Sequence, residues 1–268
     1  MPLRRGAGQP ESRLPVLSSL LQKLRPQKSG LQTSGRGARF ADPAPGEPLC
    51  VIGDVHGCLG LLERMLAQVP QDHRIVLAGD YIDRGEHSAD VLRCLSARPE
   101  LTCLKGNHED MLLRFLRDPE RGGGRWIRNG GLQTLASFAV PGVRPQMSAE
   151  ELRACRDQLQ ERMGPALMDW LAGLETSRLS GNVLVAHAGA DPQAAPDRQA
   201  GEVLMWGHPE FLRTPRRDGV WVVHGHTIVS EAAAAHGRIA VDTGAYASGT
   251  LSAACLADGA VRFLQARL

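Results

Sequence analysis

The chain has 268 residues, 43% of them hydrophobic, enough to bury the core of one large domain. Its 31 basic and 29 acidic residues leave a formal charge of +2, too small to point to nucleic acid as a partner. No apolar run approaches the roughly 18–20 residues that span a bilayer, and six cysteines without a CxxC pair argue for a reduced, cytoplasmic protein with neither a disulfide framework nor a membrane partner.

Residues 1–46 differ from the rest. Basic residues outnumber acids here, and Pro, Gly and Ser are frequent, as in RPQKSGLQTSGRGARFADPAPGEP. This composition predicts a basic disordered extension, with an organellar transit peptide as the alternative. Residues 47–268 read as the folded domain. Short runs rich in Val, Ile, Leu and Cys follow: PLCVIGD, RIVLAGD, LTCLKGN, NVLVAHAG, GVWVVHGH, RIAVDTG and LSAACLADG. Each predicts a buried strand. Helical spacing in LLERMLAQV and SADVLRCLSAR, between the first three, gives the strand and helix alternation of a layered α/β fold. Residues 110–180 read as helical and as a cap over the sheet. Within them Ser148 is placed as an N-cap and Glu151 at the third helical position, the pattern of a capping box.

Polar groups recur where the apolar runs stop: Asp54 and His56, Asp80 and Asp83, Asn107 and His108, then His187, then His226. Carboxyl ends of neighbouring strands in an open α/β sheet line one crevice, so these dispersed positions can converge. In GDVHG one residue separates Asp54 from His56, which in extended backbone turns both side chains to the same side. Carboxylate, imidazole and amide oxygen together suit Mn, Fe or Zn better than Cu(I) or an all-oxygen calcium site, with manganese the first expectation. If two ions share the site, Asp80 is the natural bridge.

GDVHG, GDYIDRG, GNHED, HAG and HGHT, in that order, resemble the motifs of the calcineurin-like metallophosphoesterase superfamily, and specifically its phosphoprotein phosphatase branch. The closing VDTGAYASGTLSAACL and the WIRNGGLQTL segment are similar to bacterial members, which include Ser/Thr phosphatases and diadenosine tetraphosphatases. The resemblance implies a four-layer α/β/β/α sandwich of two mixed sheets with a helical cap insertion, residues 47–268 forming the catalytic domain. It also implies a site of two divalent cations. Asp54, His56 and Asp80 would hold one, and Asp80, Asn107, His187 and His226 the other. Alignment of GHT favours His226 over His224, which becomes a neighbour of the ligands or a satisfied buried histidine. His108 would be the proton donor, Asp83 its orienting partner and Arg84 a phosphate clamp. Direct attack by a metal-bridging hydroxide would follow, without a phosphoenzyme.

One departure stands out. Bacterial relatives commonly carry a second clamp arginine two positions after a tryptophan, where this chain has His208. His208, Arg213 or no residue would fill that role. Arg125, Arg128 and Asn129 of RGGGRWIRNGG are candidates for a substrate rim, while Glu109 is expected only to favour a helix start. The leading expectation is a Ser/Thr, or Tyr, protein phosphatase acting on phosphoproteins or phosphopeptides. Its rivals are a dinucleoside polyphosphate hydrolase and a non-catalytic scaffold derived from such an enzyme.

Overall fold

The computed structural model describes residues 40–268; both expectations for the N-terminal extension up to residue 39 lie outside the described residues. Residues 40–46, grouped with that extension by composition, are seated on the folded domain. Phe40 packs edge-on against Trp221, the Trp221 indole donates to the Ala41 carbonyl, and Asn182 bridges the Asp42 carbonyl and the Ala44 amide. Paired backbone groups and one buried ring edge hold this stretch despite its polar composition.

Two five-stranded mixed sheets form the centre. The first contains β1 (Leu49–Ile52), β2 (Arg74–Leu77), β3 (Thr102–Cys103), β9 (Thr250–Ala257) and β10 (Ala260–Arg267), ordered β10-β9-β1-β2-β3. The second contains β4 (Ser177–Ser180), β5 (Val183–Ala186), β6 (Trp221–His224), β7 (Ala233–Ala235) and β8 (Arg238–Ala240), ordered β4-β5-β6-β8-β7. Strands β1, β2 and β3 run parallel, as do β5, β6 and β8.

Strands β1, β5, β6 and β9 are largely apolar because both of their faces are covered. Leu49 and Val51 of β1 point between the sheets, where they meet Val183, Val185, Val223, Ile239, Ala254 and Leu256. Their alternates Cys50 and Ile52 point outward into a second core beneath the helices. Each such fully buried aliphatic side chain contributes about 1.5–3 kcal/mol relative to exposure. On the far side of the second sheet, Leu184, Ala186 and Val222 are covered by Leu204 and Phe211.

Helices α1 (Leu59–Leu66) and α2 (Ser88–Ser96) follow β1 and β2, as expected. The helical middle comprises α3 (Asn107–Arg117), α4 (Pro119–Trp126), a wide turn over Ile127–Gly131, α5 (Leu132–Ser137) and α6 (Ala149–Ala172). Trp126, Leu135, Leu152 and Leu159 bury against the outer face of the first sheet, so this segment is the expected cap. At the start of α6 the Ser148 hydroxyl accepts from the Glu151 amide and the Glu151 carboxylate from the Ser148 amide, completing the box. Gly164 then takes φ 72° ahead of Pro165 and kinks α6. Short helices α7 (Gly201–Trp206) and α8 (Ala245–Ser248) complete the set. Among the described residues no helix is long and apolar enough to cross a membrane.

Candidate metal centre

Six parallel strands deliver polar groups from their carboxyl ends to one crevice. Asp54 and His56 follow β1, Asp80 and Asp83 follow β2, and Asn107 and His108 open α3 after β3. His187 follows β5, His226 follows β6 and Asp242 follows β8. The turns are tight. Non-glycine residues with left-handed backbone include His56 (φ 43°), Asp80 (55°), Asp83 (71°), Arg84 (69°) and His226 (62°), all within the cluster. Such conformations cost on the order of 1–2 kcal/mol each and persist where surrounding contacts hold them. The Asp80 carbonyl supplies two such contacts, accepting from the Val55 and His56 amides at 3.0 and 2.9 Å. Gly225 and Gly106 lie so close to the Asp54 and Asp80 carboxylates that any side chain there would collide with them.

The donor atoms converge. His56 Nε2 and His187 Nε2 lie 3.6 and 3.4 Å from Asp80 Oδ2, and Asn107 Oδ1 is 2.8 Å from both His187 Nε2 and His226 Nδ1. Asp54 accepts the His226 amide on both oxygens. His56 and His187 each turn Nδ1 to a backbone carbonyl, of Ile82 and Ala78, which leaves Nε2 facing the carboxylates. That is how metal-binding imidazoles are ordinarily oriented. His226 faces the cluster; His224 does not, since its Nδ1 bonds the Gly225 carbonyl and its ring meets Phe211 edge-on at 4.9 Å.

Burial makes this a site that demands positive charge. Asp54, Asp80, Asp83, Asp242 and Glu109 are all at most 3% exposed. Burial, with the charges of Asp242 and Asp80 added, pushes the Asp54 carboxyl well above the usual carboxylate range, and burial also raises Asp242. Desolvation opposes a charge on His187, yet the Asp80 carboxylate overrides it and lifts the ring to about 10. His56 and His226, by contrast, are pushed by burial down to about 3 and about 4, the neutral form a cation requires. Two overlapping groups of possible ligands share Asp80: His56, Asp80 and His108, and Asp80, His187 and His226. The chemistry of this donor set fits a pair of divalent cations.

Beside it lies a hydrogen-bonded histidine–aspartate pair. His108 Nδ1 is 2.6 Å from Asp83 Oδ2, and Arg84 Nη2 is 3.2 Å from His108 Nε2. Burial works against charge on His108, but the carboxylates of Asp80 and Asp83 outweigh it and raise its pKa. Asp83 is itself pinned: Trp126 Nε1 donates to both oxygens at 3.0 Å and the Thr134 hydroxyl to Oδ1 at 2.6 Å.

From the glycine-rich segment, a neighbour of the expected rim residues reaches the buried cluster. Arg128 and Asn129 are exposed, and the Asn129 amide donates to the Arg125 carbonyl. Trp126, buried, touches the site. Gly130 adopts φ 108° with the Arg84 amide only 2.7 Å from where a Cβ would stand, so the wide turn packs directly on the Asp83–Arg84 bend. His208 Nδ1 accepts the Glu210 amide at 3.2 Å in a local turn, and Arg213 stands exposed 3.9 Å from Glu210.

Besides Trp126, sequence reasoning missed three residues. Asp242, at the end of RIAV, carries the same signal as Asp54 and Asp80, an acid closing an apolar strand. Tyr246 lies with Arg84 over its ring at 4.8 Å and meets His56 edge-on at 5.3 Å. Glu109 does more than favour a helix start: its carboxylate accepts the amides of Asp80, Tyr81 and Gly106 at 2.8–2.9 Å.

A family model described as calcineurin-like phosphoesterase matches residues 47–230, most of the chain. The chain belongs to the calcineurin-like phosphoesterases. It is a metal-dependent phosphatase of that family, whose members use a dimetal centre. Among calcineurin-like relatives, serine/threonine-protein phosphatase 2 of Salmonella typhimurium is 29% identical over 213 residues, 75% of this chain and 89% of that protein. The asymmetrical bis(5'-nucleosyl)-tetraphosphatase PrpE of Bacillus subtilis is 29% identical over 225 residues, 72% and 84%. A solved cold-active protein-tyrosine phosphatase from a psychrophilic Shewanella shares the fold at 18% identity, with a TM-score of 0.52 over 90% of this chain and 89% of its own.

Proposed function

We propose that this calcineurin-like phosphatase hydrolyses phosphoserine and phosphothreonine monoesters in proteins. Asp54, His56 and Asp80 would hold one divalent ion, and Asp80, Asn107, His187 and His226 a second, with manganese the best match to the ligand set. When bound, the two ions supply an acidified water and neutralise charge on the phosphoryl group. Arg84 clamps a non-bridging oxygen. His108 delivers its Nε2 proton to the departing oxygen, while Asp83 keeps the other ring proton at Nδ1 and so fixes which nitrogen faces the ester.

The observation that carries this reading is the 2.6 Å His108–Asp83 contact, locked by Trp126 and Thr134. A serine or threonine alkoxide is a poor leaving group and needs a held proton; a nucleoside polyphosphate leaves readily without one. The aromatic rings nearby add support, since Arg84 covers one face of Tyr246 and Arg125 lies 4.0 Å over Trp206, contacts that a stacking base would have to displace. The second reading, hydrolysis of dinucleoside tetraphosphates, draws on the similarity to PrpE. A substrate panel in Mn, Mg, Zn and Fe(II), with phosphoserine, phosphothreonine and phosphotyrosine peptides beside diadenosine tetraphosphate, separates the two. The expected result is a kcat/KM on the serine and threonine peptides at least about tenfold above the dinucleotide in manganese. A preference for the dinucleotide would replace this reading with the second.

A further inference from the structure

A cleft of about 470 Å³ is lined by Arg114, Arg117, Arg121, Arg125 and Trp206, with Asp110 and Asp118 also in its lining. We propose that it binds an acidic or phosphorylated side chain lying three or four residues from the phosphoester on a polypeptide substrate, an inference that rests on the protein phosphatase reading above.

Placement comes from α3. Asn107, Asp110, Arg114 and Arg117 are spaced by three, four and three residues, so they form one stripe along the helix. Asn107 turns into the candidate metal centre. At 1.5 Å per residue, Arg114 and Arg117 lie about 10 and 15 Å further along the axis. An extended peptide covers about 10–13 Å in three to four residues.

Charge supplies the second argument. Arg114 pairs with Asp110 and Glu202 at 2.8 and 3.0 Å, and Arg121 with Asp118 at 3.7 Å. Arg117 and Arg125 form no salt bridge among the described residues, and both are exposed. Trp206 organises the group: its indole donates to Asp110 at 2.9 Å, and the guanidinium groups of Arg125 and Arg114 lie 4.0 and 5.8 Å over its ring. A stacked guanidinium keeps its edge N–H groups free, the geometry that grips a carboxylate or a phosphate by two bonds.

Three phosphothreonine peptides test the cleft, identical except for glutamate, glutamine or phosphoserine, the last as its non-hydrolysable phosphonate analogue, at the third and fourth positions on either side. Wild-type protein is expected to show kcat/KM about fivefold higher for the glutamate peptide than for the glutamine peptide, through KM, and higher again for the phosphoserine peptide. Equal response to glutamate and phosphoserine would place the recognition on negative charge alone; a response to phosphoserine only would restrict the ligand to phosphate. In the Arg117→Gln/Arg125→Gln double variant the ratio is expected to fall to about one. Equal turnover of glutamate, glutamine and phosphoserine peptides by wild type, or a preference that survives in the double variant, overturns the inference while leaving the phosphatase reading in place. Hydrolysis of diadenosine tetraphosphate with none of the peptides cleaved overturns both.

Discussion

Glu109 shows how a single side chain can be misread from its neighbours. One residue beyond the Asn107–His108 pair, it looks like an ordinary acid at a helix start. In the fold it is fully buried, and three backbone amides from two loops share its carboxylate. It thereby fixes Asp80, the carboxylate common to both candidate ligand groups. Burial and the charge of Asp80 push Glu109 up to about 7, a sign of how little water reaches it. Glu109→Ala is expected to lower stability by roughly 3–5 kcal/mol in urea denaturation, since three buried donors lose their acceptor. It should also weaken manganese binding by about 10- to 100-fold in a metal titration of the fraction that folds. Asp242 belongs to the same group of buried acids, and Asp242→Asn is expected to raise the manganese concentration needed for half-maximal activity by about tenfold, the fold being retained. The candidate ligands were legible because each closes an apolar run. Glu109 was not, because two of its three donors, the Asp80 and Tyr81 amides, come from a remote loop and leave no pattern in the chain.

Among the elements, the strands that sequence reading missed are β4, β7 and β10, and all three are edge strands. An edge strand has one neighbour and partial cover, so SRLS, AAA and AVRFLQAR need not be apolar and lack the signal that revealed the central strands. The β9–β10 hairpin was nonetheless marked by Asp258-Gly259, both with positive φ, a two-residue turn of the kind that joins antiparallel strands. The cap offers the opposite case: its helices were legible, but not which residue reaches the site. Trp126 packs on Phe115 with ring centroids 4.8 Å apart while its indole holds Asp83. Trp126→Phe preserves the packing and removes the donor. The expected result is a kcat about tenfold lower on phosphothreonine peptides with little change in KM, and a smaller loss on p-nitrophenyl phosphate, whose leaving group has less need of a proton. Equal losses on both substrates would assign Trp126 a purely structural part.

For the molecule as a whole, the dominant fact is a concentration of buried carboxylates where the two sheets' strand ends meet. Cations bound there relieve mutual repulsion present only in the folded chain, so binding and folding are linked. Manganese at 100 times its dissociation constant is expected to stabilise the fold by about 2.7 kcal/mol, a rise of roughly 5–10 °C in the thermal midpoint measured by calorimetry. Asp80→Asn should abolish that rise, and chelation should remove activity that manganese then restores.

Legible in the chain were the apolar runs, long enough to be buried on both faces and each closed by a metal-type residue, and with them a layered α/β architecture whose strand ends line one crevice. Which groups support that crevice from a distance emerged only in the folded molecule. Glu109 gathers amides from separate loops, Trp126 reaches Asp83 from the cap, and His226 rather than His224 faces Asn107. Periodicity is a local property of the chain. Hydrogen bonds and charge in a site assembled from six strand ends depend on distances set by packing between remote segments, and no local pattern encodes those.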